Sequence, residues 1–294
     1  MKEKKVITPN ECSFGRWVAV LVVGLLLGIV LSLPLDSLAK NRVDHFMGVS
    51  YADIFGILMF IPLSLGMAIS LRFLGKTSIK DFILGVGGTV NKKECLTVLG
   101  LYIVGLLIFY LPNLGYISLR GVNPGEFAFL FVFMLLFAWI QTTWEELAFR
   151  GFMFRWACKN NAAYTKKAMI AAVISALIFA LMHAPNPEVT SQAGIFILLA
   201  LLSYGFFGFV FFLANVHFGS LMPGIVIHWI NNFVCYTLIS SDVSAAPVPT
   251  LLVDGTPHTG VMMLASNIVV CLPILAYILV DIRNRKKAPS ECAK

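Results

Sequence analysis

The stretch Phe127-Ala-Phe-Leu-Phe-Val-Phe-Met-Leu-Leu-Phe-Ala-Trp-Ile-Gln-Thr-Thr-Trp-Glu145-Glu146-Leu-Ala-Phe-Arg150 decides the fold class of this chain. No side chain from Phe127 to Ile140 is polar, yet the stretch ends on two adjacent glutamates and an arginine. A helix needs about 20 mostly apolar residues to cross a hydrocarbon layer. The run 127–155 is longer than that, so it predicts a span that tilts or projects beyond the bilayer. Seven further apolar runs lie near 17–34, 54–74, 95–112, 168–184, 193–214, 219–240 and 261–280. Together they predict an all-α polytopic membrane protein, a bundle of about eight transmembrane helices. Glycine and proline inside the runs do not break this reading, because neighbouring helices satisfy the freed backbone groups.

Composition points the same way. Of 294 residues, 59% are hydrophobic and 13% charged, against the ~25% charge of an ordinary soluble domain. Mean hydropathy is +0.85. A disordered chain and a water-soluble globule are both excluded, and an outer-membrane barrel would need alternating segments of about 10 residues. The run from Trp17 to Leu33 is long for a signal peptide and lacks a small-x-small cleavage site, so it reads as an anchor.

The net charge of +7 is unevenly spread. With the N-terminus in the cytoplasm, 19 of the 22 Lys and Arg fall inside, leaving only Lys40, Arg42 and Arg120 outside. This asymmetry predicts cytoplasmic termini and argues against a nucleic-acid partner. The basic tail Arg283-Asn-Arg-Lys-Lys287 is a topology anchor beside anionic lipid. Cys12, Cys95, Cys158 and Cys292 fall near the cytoplasmic side, while Cys235 and Cys271 lie within spans, so no disulfide is expected. The last four residues, Glu-Cys-Ala-Lys, place the cysteine third from the end, where a prenylation box needs it fourth. With no repeat and no long linker, residues 1–294 read as a single transmembrane domain.

Ionisable groups within spans cost at least ~2.5 kcal/mol each and are functional hypotheses by default. Three clusters stand out. Glu146 and Arg150, four apart, share a helix face and can pair, leaving Glu145 turned away from Glu146 by ~100°. Phe179 and His183 share another face, just before Pro185 and Pro187 end or kink their helix. His228 and Asn232 lie one turn apart, after a helix start at Gly219–Gly224. Taken singly, each has a plain explanation: neutralising Arg150, an interfacial histidine, an interhelical hydrogen bond. Counted from the cytoplasmic edge at 1.5 Å per residue, Glu145 lies about 15 Å deep, His183 about 22 Å, His228 about 14 Å and Asn232 about 20 Å. Three helices bringing polar groups to one layer predict a wet cavity, with 127–240 as its catalytic core.

In these motifs the chain resembles the CAAX-protease and bacteriocin-processing family of intramembrane endopeptidases. That family carries Glu-Glu-x-x-x-Arg, Phe-x-x-x-His and His-x-x-x-Asn on separate helices. Here they read Glu145-Glu146-Leu-Ala-Phe-Arg150, Phe179-Ala-Leu-Met-His183 and His228-Trp-Ile-Asn-Asn232. The resemblance covers roughly 127–240. It implies peptide-bond hydrolysis in a cavity open to the cytoplasm. Glu145 and His183 would activate water, His228 and Asn232 would stabilise the oxyanion, and Glu146 and Arg150 would support the first helix. The expected partners are a hydrophobic or lipidated peptide and membrane lipid, in a bacterial cytoplasmic membrane. Metal-free glutamate catalysis is favoured, and a Zn2+ held by His183, His228 and Glu145 is the alternative. Two other classes compete: a non-catalytic immunity or scaffold protein, and a transporter, which would be expected to show paired broken helices.

Overall fold

A computed structural model describes residues 13–40, 45–85, 88–158, 164–241, 243 and 250–287. Lys2, Lys4, Lys5, Arg42, Lys159, Lys294, Cys12 and Cys292, used in the charge and cysteine readings, lie outside the described residues. Each expected apolar run is helical. Helix α1 is Phe14–Lys40, and a small β-hairpin follows it, β1 (His45–Phe46) and β2 (Val49–Ser50). Next come α2 (Tyr51–Leu58), α3 (Phe60–Phe73), the short α4 (Ile79–Leu84) and α5 (Lys92–Tyr110). Strand β3 (Ile117–Leu119) leads into α6 (Pro124–Glu145), which runs through a π-helical turn at Glu146–Gly151 into α7 (Phe152–Cys158). Then follow α8 (Lys166–Met182), α9 (Pro187–Thr190), α10 (Ile195–Phe218) and α11 (Met222–Phe233). A second π-helical turn at Val234–Leu238, β4 (Ile239–Ser240), β5 (Leu252–Asp254) and α12 (Gly260–Lys287) complete the described chain.

Among the described residues, six helices are long and apolar enough to cross a membrane: Phe14–Ala39, Tyr51–Phe73, Lys92–Tyr110, Pro124–Cys158, Ile195–Phe218 and Gly260–Arg285. The other two expected spans are shorter. Helix α8 has 17 residues and α11 has 12 before its π-helical turn. The protein is thus an all-α, multi-pass integral membrane protein. Its outward faces are apolar, with Leu26, Val30, Leu136, Leu177, Leu181 and Leu279 exposed to the surrounding lipid.

Local chemistry sets the helix starts. Asn123 accepts from Gly125 N at 2.8 Å, with Pro124 in the first turn of α6. Thr165 caps α8 by accepting from Ala168 N at 3.1 Å. Such caps satisfy donors that the helix itself leaves unpaired. Glycines set the helix contacts. A Cβ on Gly66 would lie 2.3 Å from Gly28 N, and one on Gly105 would lie 1.9 Å from the Val270 carbonyl oxygen. Small residues let α1 and α3, and likewise α5 and α12, approach backbone to backbone.

The bundle has two distinct ends. At one, a three-stranded sheet in the order β3-β5-β4 ties three chain segments together. Strands β3 and β5 pair antiparallel with Ile117 opposite Asp254, and β4 runs parallel to β5 with Ile239 opposite Leu252. Gln192 Nε2 donates to the His258 carbonyl at 2.9 Å, joining the loops before α10 and α12. At the other end, the Arg155 guanidinium donates to the Phe82 carbonyl at 2.8 and 2.5 Å, and Lys167 Nζ to the Trp156 carbonyl at 2.9 Å. There too, Tyr164 Oη lies 3.0 Å from His217 Nδ1, and His217 Nε2 lies 3.1 Å from Asp281 Oδ2. His217 Nε2 faces a carboxylate, which only accepts, so Nδ1 of the neutral ring accepts from the Tyr164 hydroxyl.

Candidate active site

Glu145 is the last residue of α6 and Glu146 the first of the π-helical turn, so the backbone changes its winding between them. Turns of this kind recur at functional sites. The two carboxylates face different surroundings. Glu146 is 0% exposed, with Oε1 3.1 Å from Arg150 Nη1 and 2.9 Å from His228 Nδ1. Glu145 is 8% exposed and lines a cavity. Its Oε1 accepts from Gln141 Nε2 at 3.1 Å, and its Oε2 lies 3.5 Å from His228 Nε2. His228 therefore stands between the two glutamates, with a different ring nitrogen toward each.

Arg150 is fully buried, its guanidinium carbon 3.8 Å from the centre of the Phe179 ring. Gly208 makes room for it, since a Cβ there would meet Arg150 Nη2 at 2.9 Å. The π-face and the Glu146 carboxylate together offset the desolvation of the cation. The phenylalanine of the second motif thus supports the arginine of the first.

His183 follows the last residue of α8, and the chain turns away at Pro185 and Pro187. Its Nδ1 lies 2.8 Å from the Phe179 carbonyl. A carbonyl only accepts, so Nδ1 carries the proton and Nε2 of the neutral ring is left with its lone pair. The ring stacks on Tyr204, with centroids 4.2 Å apart and planes 24° apart. Tyr204 donates its hydroxyl to Glu188, and Asn186 Nδ2 donates to the same carboxylate at 3.2 Å.

Asn232 belongs to a hydrogen-bonded chain that starts on α5. Tyr102 Oη donates to Asn231 Oδ1 at 2.7 Å, and Asn231 Nδ2 donates to Asn232 Oδ1 at 3.2 Å. With its oxygen so engaged, Asn232 keeps its amide N–H groups for the cavity. Tyr102, Gln141, Glu188, Tyr204 and Asn231 were not among the residues selected from sequence. Asn231 alone left a trace, as the neighbour of Asn232; the others reach the site only through packing.

Glu145, His183, His228 and Asn232 line one cavity of about 260 Å³. Glu146 and Arg150 lie behind it. Among the described residues, no three His, Cys, Asp or Glu side chains converge to hold a metal ion. His183 and His228 each engage Nδ1, with the Phe179 carbonyl and with Glu146, and so present Nε2 on the cavity side. The helical lining of the cavity includes Tyr102–Tyr110 of α5, Ser203–Phe211 in the middle of α10 and Met262–Val270 of α12, and it continues to the sheet at Ser240 and Asp254.

Residues 123–234 match the family model described as type II CAAX prenyl endopeptidase Rce1-like. This segment is similar to that domain. It begins at Asn123, the cap of α6, and ends at Val234, two residues after Asn232, so it contains all three motifs. A curated relative, an uncharacterized protein YyaK of Bacillus subtilis (strain 168), is 29% identical over 135 residues, 46% of this chain. The matched stretch spans 42% of that relative's length. No solved structure matches the chain. Tyr102 and the α12 wall of the cavity lie outside the matched segment.

Proposed function

We propose that this chain is an intramembrane endopeptidase that hydrolyses a peptide bond in a hydrophobic or lipidated segment. The observation that supports this most is Glu145: a carboxylate lining a cavity within the bundle, beside two histidines and an asparagine. In the reaction, Glu145 takes a proton from water as the water oxygen bonds to the scissile carbonyl carbon. His183 Nε2 accepts a hydrogen bond from the same water and orients it. The carbonyl oxygen becomes an oxyanion, and Asn232 Nδ2–H donates to it together with Nε2–H of His228 in its doubly protonated form, whose Nδ1–H is held by Glu146. The C–N bond then breaks, and the proton held by Glu145 passes to the leaving nitrogen. Glu146 fixes His228 through Nδ1, and Arg150 neutralises Glu146. No step is routed through a metal.

The test is cleavage of internally quenched hydrophobic and lipidated peptides by purified protein, with and without chelator. The native chain should cleave in both conditions, and Glu145→Gln should lose activity by at least about 10²-fold. Equal cleavage by Glu145→Gln would remove this mechanism. A chelator-sensitive native activity would return His183 and His228 to metal ligation.

A further inference from the structure

We infer that the cavity opens on the membrane face opposite the cytoplasm, so that its substrate is a peptide segment presented from outside. The word substrate rests on the endopeptidase reading; the direction of opening does not. Two independent observations meet here.

The first is where the cavity lies along the bundle. Glu145 forms its floor, 21 residues from the start of α6. From there the lining passes toward the sheet end: the last half of α5, the end of α8, the middle of α10 and the first half of α12. The lining finishes on β4, Asp254, Thr256 and Pro257, residues of the sheet and the loop before α12. None of the residues that tie the other end together, Arg155, Lys167, Tyr164 or Asp281, lines it. Water therefore reaches Glu145 past the sheet.

The second is charge. The end away from the sheet carries Arg16, Arg72, Lys92, Arg155, Lys166 and Arg285 at helix termini and short connections. At the sheet end the described residues include Lys40 and Arg120 as bases, against Asp36, Asp53, Glu126, Glu188 and Asp254. Basic connections stay in the cytoplasm, because Lys and Arg resist translocation. The sheet, and with it the mouth of the cavity, then lies outside.

This geometry selects a substrate class. A peptide bond can reach Glu145 from an exported hydrophobic peptide, or from the outer end of another protein's membrane segment. A bond near the cytoplasmic C-terminus of a lipidated protein would have to enter through the basic end, where the lining stops.

The test uses the full chain in intact bacterial cells. Thr256→Cys, at the mouth, and Lys92→Cys, at the opposite end, are each treated with a membrane-impermeant sulfonated maleimide, with the parent chain as background. Thr256→Cys should be labelled in intact cells and Lys92→Cys only after permeabilisation. In right-side-out vesicles, the Thr256→Cys adduct should cut turnover of an impermeant quenched hydrophobic peptide at least tenfold, while the unlabelled variant cleaves it without permeabilisation. The reverse labelling pattern, or equal labelling of both positions in intact cells, overturns the inference. Outside labelling of Thr256→Cys together with undiminished cleavage by Glu145→Gln would leave the opening in place and remove the endopeptidase reading.

Discussion

At the scale of single residues, the two neighbouring glutamates should respond differently to the same change. Glu146 is the counter-charge of the fully buried Arg150 and also holds His228. Breaking a buried pair by removing one charge costs about 3–5 kcal/mol. Glu146→Gln should therefore lower the thermal midpoint in detergent as well as activity. Glu145 faces the cavity, and its Gln141 contact survives amidation, so Glu145→Gln should leave the midpoint within a few degrees of native while activity disappears. A scan of both purified variants separates the roles, and matching midpoints would contradict the assignment. Tyr102 offers a subtler test. Its hydroxyl is the only atom Tyr102→Phe removes, yet that hydroxyl sets the amide of Asn231 and, through it, that of Asn232. Loss of a whole oxyanion donor costs about 10²–10³ in kcat, so a donor left free to turn should cost about tenfold. KM should not change. In an Asn232→Ala background the same substitution should do nothing more, since groups acting as one unit are not additive.

At the scale of elements, the closest helix contact supplies a paired prediction. Gly105 and Gly100 lie on the same helix, α5, but a Cβ on Gly105 would sit 1.9 Å from a backbone oxygen of α12, and one on Gly100 meets nothing within 4 Å. Gly105→Ala should separate α5 from α12 and destabilise by about 1–3 kcal/mol. Turnover should fall with it, because α5 carries Tyr102. Gly100→Ala should be neutral or stabilising by up to ~1 kcal/mol. Thermal midpoints and kcat for the pair decide the matter. The same comparison explains what could be read beforehand. The motif pairs were legible because each spans a single helical turn, and spacing alone places Glu146 with Arg150, Phe179 with His183 and His228 with Asn232. The eight apolar runs were legible because membrane helices are long. Strands of two or three residues such as β4 and β5 leave no periodic signal, and they form the mouth of the cavity. Tyr204, Glu188 and Tyr102 were illegible for another reason: an aromatic in an apolar helix looks like packing until the partner of its hydroxyl is known. His183, the deepest of the four by residue counting, sits where α8 ends, close to the sheet end of the cavity.

At the scale of the whole molecule, the two ends of the bundle should differ in their coupling to the site. The basic end is held by isolated contacts. Asp281 receives His217 at 3.1 Å and Arg285 at 2.6 Å, and Arg285 is 66% exposed. The exposed Arg285–Asp281 pair contributes about 0–1 kcal/mol. Asp281→Asn should lower the thermal midpoint slightly and leave kcat unchanged, since no cavity wall depends on it. The sheet end is different. Strand β5 pairs with both neighbours, so it fixes the segments entering α6, leaving α11 and entering α12 relative to one another. Those segments are the mouth and two walls of the cavity. Val253→Pro puts a residue without an N–H into the central strand of three, where proline is not tolerated. The short ladder should open, and kcat/KM should fall at least tenfold while the long helices keep the chain folded in detergent. Measuring turnover and midpoint for both variants reads the coupling directly. Turnover lost in Asp281→Asn but kept in Val253→Pro would mean that the basic end governs access to Glu145, and the cavity as described would not be the path a substrate takes.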